Sequence, residues 1–187
     1  MFYKVLIDIS ENPLWKEIVK ARILVRDLNL KHWLGTNVFS LVWWFMVISF
    51  LIAWFVWWKL VNKSRFAEIV TYGLLVAMVS IILDIIGTSN VIWGYPNMLV
   101  PLAPPMFYAD MCSMPVIYML IYQYFRSWKS FIIAMTITAF IIAFIGEPIA
   151  VRLDIYELNS WKYLYSFPLY ILIAIMLKWI NNKIYSI

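Results

Sequence analysis

Reactive residue types are scarce in this chain of 187 residues, which has one cysteine, one histidine and five glycines. The single cysteine, Cys112, excludes an internal disulfide, and its apolar sequence neighbours predict a small core residue. With His32 as the only histidine, no histidine-rich metal site can form. No glycine-rich phosphate loop, metalloprotease motif, nucleophile elbow or nucleic-acid-binding pattern is present. We therefore expect no metal, no cofactor and no nucleic-acid partner.

Charge is also scarce, since 13% of the residues are charged whereas 65% are hydrophobic and 19% are aromatic. A soluble domain would have more apolar surface than it could bury. We therefore predict an all-α, polytopic integral membrane protein. The net charge is +5, and short basic segments separate the apolar runs, which predicts contact with anionic lipid headgroups. No apolar segment followed by a cleavage site stands near Met1, so no cleaved signal peptide is expected.

Five apolar runs are predicted to cross the bilayer, at about residues 38–60, 66–86, 104–125, 130–150 and 160–180. The first is the clearest, because it has no charge before Lys59 and has tryptophans near both ends, as in interfacial aromatic belts. The third is predicted to begin at Pro104 or Pro105 and to kink at Pro115. The five spans make up a transmembrane domain of residues 38–187.

Residues 1–37 are predicted to form a separate N-terminal segment that contains an amphipathic helix. Asn12 and Pro13 are a helix-start signal, and Gly35 can end the helix. Charged residues fall on one face of this helix and apolar residues on the other. We expect the helix to lie along the membrane interface, and docking on the protein's own loops is the alternative.

The segment between the second and third predicted spans, residues 87–103, is apolar but cannot be a continuous helix, because it contains Pro96 and Pro101 and runs into further prolines. Irregular backbone at membrane depth occurs only where protein or a wet cavity satisfies its polar groups. The pattern therefore predicts a lid or a shallow re-entrant loop.

Two stripes of small and polar residues at helical spacing lead to an acid. They are Gly73, Ala77, Ser80 and Asp84 in the second span, and Thr136, Ala139, Ala143 and Glu147 in the fourth. Such stripes allow another helix to approach closely. A third stripe at helical spacing, Lys162, Ser166, Tyr170 and Ala174, lies in the fifth span.

Antiparallel crossing brings the ionisable ends of several spans to the membrane face that carries the lid. The predicted ligand-binding residues are Asp84, Trp93, Tyr95, Asp110, Glu147, Arg152 and Lys162. A charged group in hydrocarbon costs at least about 2.5–3.5 kcal/mol, which favours a functional role for these acids. The alternative is a structural polar cluster in which Arg152 or Lys162 neutralises the acids.

The opposite face is predicted to be cytoplasmic by the positive-inside rule. It receives almost no acid and the basic residues Lys59, Lys63, Arg65, Arg126, Lys129, Lys178 and Lys183. The acidic pocket would then open outward.

Four stretches carry a resemblance to a known family: LDIIG, VIWGYPNMLVP, PPMFYAD and IGEPIAVRLDIYELNSWKYLYSFPLY. Over about residues 38–180 the chain resembles a family of small five-span membrane proteins of endospore-forming bacteria. The central stretch also resembles the membrane lycopene cyclase domain, in which a Trp-x-Tyr turn precedes a proline and a pair of acids that open a helix. Trp93 and Tyr95 match that turn. The adjacent acids have no match, because Asp110 stands alone.

Three functions are compatible with the sequence of this multi-pass protein, which we expect in the bacterial cytoplasmic membrane. The leading hypothesis is a non-enzymatic protein that binds a lipid, a small apolar ligand or a protein partner in the polar pocket. The second is a small transporter that uses its intramembrane carboxylates, although no internal repeat is visible. The third is a membrane enzyme acting on an apolar or isoprenoid substrate. The small-residue stripe that ends at Asp84 could also serve homo-oligomer contacts.

Overall fold

The computed structural model describes residues 12–101 and 106–185. The helices are α1 (Pro13–His32), α2 (Leu41–Leu60), α3 (Phe66–Ser89), α4 (Met114–Tyr124), α5 (Trp128–Ile141), α6 (Glu147–Arg152) and α7 (Tyr163–Ile184). A π-helical turn, Ile142–Gly146, joins α5 and α6 into one continuous helix, and similar turns, Trp33–Asn37 and Ala109–Ser113, follow α1 and precede α4. Two short antiparallel strands, β1 (Trp93–Gly94) and β2 (Glu157–Leu158), complete the described part of this all-α fold.

Four helices among the described residues are long and apolar enough to cross a membrane, which makes the chain a multi-pass membrane protein by helix composition. They are Leu41–Leu60, Lys63–Ser89, Trp128–Arg152 and Tyr163–Ile184. These helices correspond to the first, second, fourth and fifth predicted spans.

The predicted ends at residues 60 and 66 are confirmed, whereas the other six ends of these spans were wrong by two to four residues. Side-chain caps explain two of the differences. Ser40 accepts the N–H of Trp43, so α2 begins at Leu41. Ser127 accepts the N–H of Ser130 in the same way, which starts α5 earlier than predicted. At the other end of the chain, α7 continues past residue 180 because Asn181 is buried and donates to the carbonyl of Glu68.

The third predicted span is a shorter helix in the interior of the bundle. Residues 107–124 are helical, and the predicted start at Pro104 or Pro105 lies outside the described residues. Seven of the eleven residues of α4 are buried. At Gly73 of α3, an added Cβ would lie 2.4 Å from Met119 Sδ, so this glycine allows α4 to pack directly against α3.

A π turn, Ala109–Ser113, lies just before Pro115, and the predicted kink at this proline stays a prediction. Because proline lacks an N–H, it cannot bond to the carbonyl four residues earlier, which is that of Met111. The indole of Trp54 in α2 donates to this carbonyl at 3.2 Å instead. Cys112, in the same turn, is buried, which confirms its prediction as a core residue.

The N-terminal helix begins as predicted, since the Asn12 side chain accepts the N–H groups of Leu14 and Trp15 at 3.0 and 3.4 Å. Its predicted end at Gly35 was wrong, because helical turns continue to Asn37. Asn37 is buried and donates to the carbonyl of Pro96, which fixes this extra turn. No residue of α1 is buried. Its position along the membrane interface stays a prediction.

Residues 91–101, which follow α3, contain no helix and only the short strand β1, and we call this segment the lid. Three lid carbonyls accept side-chain N–H groups: Pro96 from Asn37 at 2.9 Å, Met98 from Trp33 at 3.0 Å and Leu99 from Trp43 at 3.1 Å. On its other side the lid pairs with β2, and Asn97 donates its backbone N–H to the carbonyl of Asp154. Protein groups therefore satisfy several backbone groups of this irregular segment, as would be required if it lay at membrane depth.

Candidate ligand-binding cavity

A cavity of about 370 Å³ lies between the lid, α3, the Ala109–Ser113 turn, α4, α6 and α7. Most of its lining side chains are apolar. Five of the seven predicted site residues line it: Asp84, Trp93, Tyr95, Asp110 and Glu147. The segments that carry them are separate in the chain, and the helix packing brings them to one place.

Asp84 and Asp110 form a carboxyl pair in the wall of this cavity. The two carboxyl groups lie close enough to interact, and both side chains are buried. Asp84 Oδ2 and Asp110 Oδ2 have no N–H or O–H donor among the described residues. Two carboxylates cannot share a hydrogen bond unless one of them is protonated, and the repulsion between neighbouring like charges disfavours double ionisation. A single proton shared between the two carboxyl groups would remove this repulsion and give the two Oδ2 atoms a hydrogen bond.

The lid supplies the other partners of Asp84. Asp84 Oδ1 accepts the Tyr95 hydroxyl at 2.7 Å and the Trp93 indole N–H at 3.2 Å. Burial raises the pKa of Tyr95, and the neighbouring carboxyl of Asp84 raises it further, so Tyr95 stays a hydrogen-bond donor. Trp93 also packs on Gly87, where a Cβ would come within 2.0 Å of the indole ring. The lid is thus fixed to α3 at both residues of the Trp-x-Tyr turn.

Glu147 forms a second polar centre in the same cavity. Its Oε1 accepts the Tyr170 hydroxyl at 2.6 Å and its Oε2 accepts the Ser166 hydroxyl at 3.1 Å. Ser166 Oγ in turn accepts the indole N–H of Trp161 at 2.9 Å. The sequence placed Ser166 and Tyr170 on one stripe of the fifth span but did not assign them to the site. Their spacing of four residues was the available signal.

Two of the three helices that carry the acids have a π-helical turn at the cavity. Asp110 lies inside the Ala109–Ser113 turn, and Glu147 directly follows the Ile142–Gly146 turn. A π turn inserts one residue into the helical repeat and so rotates the side chains that follow it. Such turns occur frequently at functional sites.

Arg152 and Lys162 do not belong to this cavity, although the sequence placed them with the acids. Both side chains are exposed, and neither lines the cavity or forms an ion pair with its three acids. Lys162 has an extended backbone and lies directly before α7, which starts at Tyr163. The described lining therefore contains three carboxyl groups and no basic side chain.

Comparisons of the chain with known proteins do not indicate a function. No protein-family model matches the chain, and no curated protein or solved structure matches it significantly.

Proposed function

We propose that this protein is a five-span membrane protein that binds a lipid or small apolar molecule in the acid-lined cavity. The observation that carries the proposal is the cavity itself. Its volume of about 370 Å³ falls within the range of about 300–1,000 Å³ for ligand pockets, and its apolar lining with a few polar groups is typical of them.

The fifth crossing is supplied by the helix at residues 107–124. Asp110, near its beginning, meets Asp84 in the last two turns of α3, whereas Tyr122, near its end, donates to Glu68 in the first turn of α3. The helix therefore runs antiparallel to α3 over most of its length. Since α2 and α5–α6 shield it, this helix needs less apolar length of its own than a lipid-facing span.

The charges of the cavity define the chemistry of the ligand. Carboxyl groups are hydrogen-bond acceptors, and no basic side chain among the described lining residues would attract an acidic ligand. The ligand we infer has an apolar body and a hydroxyl or amine end that donates to Glu147 or to the Asp84–Asp110 pair.

A membrane enzyme acting on an isoprenoid substrate is the second candidate, because the fold pairs two acids that the sequence keeps apart. In that reaction the shared proton of Asp84 and Asp110 would pass to one carbon of a substrate double bond. The carboxyl O–H bond and the π bond would break as the C–H bond forms, which leaves a carbocation on the other carbon and two carboxylates in the acid pair. One carboxylate would then take a proton from a carbon next to the cation, which forms a new double bond and restores the acid pair.

The binding proposal is tested by filling the cavity. Ser80 lines the cavity from α3, whereas Ile82 on the same helix is exposed and outside the lining. Full-length protein purified in mild detergent should carry a ligand that mass spectrometry identifies. Ser80→Phe should reduce the amount retained about tenfold or more, since the phenyl ring occupies the ligand volume, while Ile82→Phe should retain it.

Two outcomes would count against this proposal. One is that wild-type protein retains only bulk lipids in the proportions of its membrane. The other is that Ser80→Phe and Ile82→Phe lower retention equally. Conversion of the retained molecule to a product by the wild type, with none by Asp110→Asn, would select the enzyme.

A further inference from the structure

A second cavity, of about 470 Å³, lies at the other end of the helices. Its lining residues are Arg65, Glu68, Tyr122, Arg126, Lys178 and Asn182. Glu68 lies in the first turn of α3 and Asp84 in the last two turns, so at 1.5 Å per residue the two cavities are about 24 Å apart along the helix. Each cavity therefore lies close to one end of the bundle, and we call this one the basic cavity.

The basic cavity has three cationic side chains and one carboxylate. That carboxylate, Glu68, is already paired: Arg65 Nε donates to Glu68 Oε2 at 2.9 Å and the Tyr122 hydroxyl donates to Oε1 at 2.6 Å. Glu68 thus compensates Arg65. The charges of Arg126 and Lys178 have no carboxylate partner among the described residues.

Lys178 is the most unusual of these side chains, because it is only 2% exposed. Its Nζ donates to the carbonyls of Phe125 and Arg126 at 3.1 and 2.9 Å and lies 4.1 Å from the ring centroid of Phe131. Two acceptors leave one of its three N–H groups without a bond within the described residues. A buried ammonium without a counter-ion is costly, and an anion in the adjacent cavity would reduce that cost.

Arg126 lines the same cavity, and its side chain is exposed. Its guanidinium has no acceptor among the described residues, so its fork of donors is available. A forked guanidinium beside an ammonium suits the oxygens of a phosphate group.

We propose that the basic cavity binds a phosphate-type anion through Arg126 and Lys178. Two sources fit this chemistry, the headgroup of an anionic phospholipid and free phosphate. A cavity at the end of membrane-spanning helices lies at headgroup depth. If this face is cytoplasmic, as the basic residues predict, it meets the leaflet whose surface carries anionic lipids.

The decisive variant is Arg126→Gln, because Arg126 is exposed and its side chain supports no other described group. Lys178→Met would also remove the donors to two carbonyls and risks misfolding. The matched control is Lys129→Gln, which removes one exposed charge three residues further along, in the first turn of α5, but does not line the cavity. Full-length protein in nanodiscs of phosphatidylcholine with a minor fraction of phosphatidylglycerol is analysed by native mass spectrometry.

Wild-type protein should retain phosphatidylglycerol in preference to phosphatidylcholine. Arg126→Gln should lower that preference about tenfold or more, as expected for the loss of a charge-assisted hydrogen bond, and Lys129→Gln less than twofold. In a second arm, inorganic phosphate is added to protein in a neutral detergent, and the unfolding temperature is measured.

The two arms separate the sources of the anion. Enrichment of phosphatidylglycerol without stabilisation by phosphate supports a lipid headgroup, and stabilisation of the wild type but not of Arg126→Gln supports free phosphate. The proposal is overturned if the wild type shows neither effect. It is also overturned if Arg126→Gln and Lys129→Gln weaken binding equally, since the effect is then general surface charge.

Discussion

The contact between Trp93 and Gly87 can be tested by adding a single methyl group. In Gly87→Ala the new Cβ would lie 2.0 Å from Trp93 Cζ2 and 2.2 Å from Cε2, far inside any allowed contact. The indole ring must therefore move. Because Trp93 Nε1 donates to Asp84 at 3.2 Å, a displaced ring also loses this hydrogen bond and loosens the lid over the cavity.

The expected cost follows from three contributions. Overpacking costs about 1–3 kcal/mol, and the lost hydrogen bond to a carboxyl group costs about 1.5–3 kcal/mol. Replacing a helical glycine by alanine returns about 0.5–1 kcal/mol. The net destabilisation is about 2–5 kcal/mol, which corresponds to an unfolding temperature lower by roughly 4–20 °C for a chain of this size.

The single cysteine provides the assay. Cys112 is fully buried, so a fluorogenic thiol dye reacts only when the bundle opens, and its fluorescence on heating reports unfolding. Gly35→Ala is the matched control, since nothing lies within 4 Å of a Cβ at that position. It should unfold at or slightly above the wild-type temperature. If Gly87→Ala behaves like Gly35→Ala, Trp93 does not pack on Gly87 as described.

Two further predictions use the same dye assay. Asp110→Asn should change stability by less than about 0.5 kcal/mol, because its amide N–H replaces the shared proton as donor to Asp84. Asp110→Leu should cost about 1–3 kcal/mol, because it leaves Asp84 Oδ2 buried without a donor. Equal stability of the two variants would refute the carboxyl pair. Tyr122→Phe should cost about 1.5–3 kcal/mol through the lost bond to Glu68, and the exposed neighbour variant Tyr124→Phe should cost almost nothing. A similar loss in both tyrosine variants would contradict the burial of the Glu68 pair.

Much of the cavity could be anticipated because its parts lie in local patterns. The stripe of small residues that ends at Asp84 and the stripe that ends at Glu147 follow from helical periodicity. The prolines exclude a helix in the lid, and antiparallel crossing brings the ends of the helices together. The basic residues at the opposite end were visible as a group, but the buried pair of Glu68 with Arg65 was not recognised.

The partners inside the cavity could not be predicted because they depend on helix rotation. The π turn that contains Asp110 and the π turn that precedes Glu147 rotate the side chains that follow them. No pattern in the sequence predicts such a turn. Lys162 was assigned to the site because antiparallel crossing brings it to the same membrane face as the acids, yet it lies outside α7 and is exposed.

The sequence by itself indicated the lipid surroundings of this protein, the approximate position of its apolar helices and the irregular lid with its Trp-x-Tyr turn. These properties are local, since they depend on the length of apolar runs, on helical spacing and on proline. Tertiary structure alone decided that Asp84 meets Asp110, that Glu147 meets Ser166 and Tyr170, and that Arg152 and Lys162 stay outside. Those contacts join residues on different helices, and their geometry is fixed by how closely and at what rotation the helices pack.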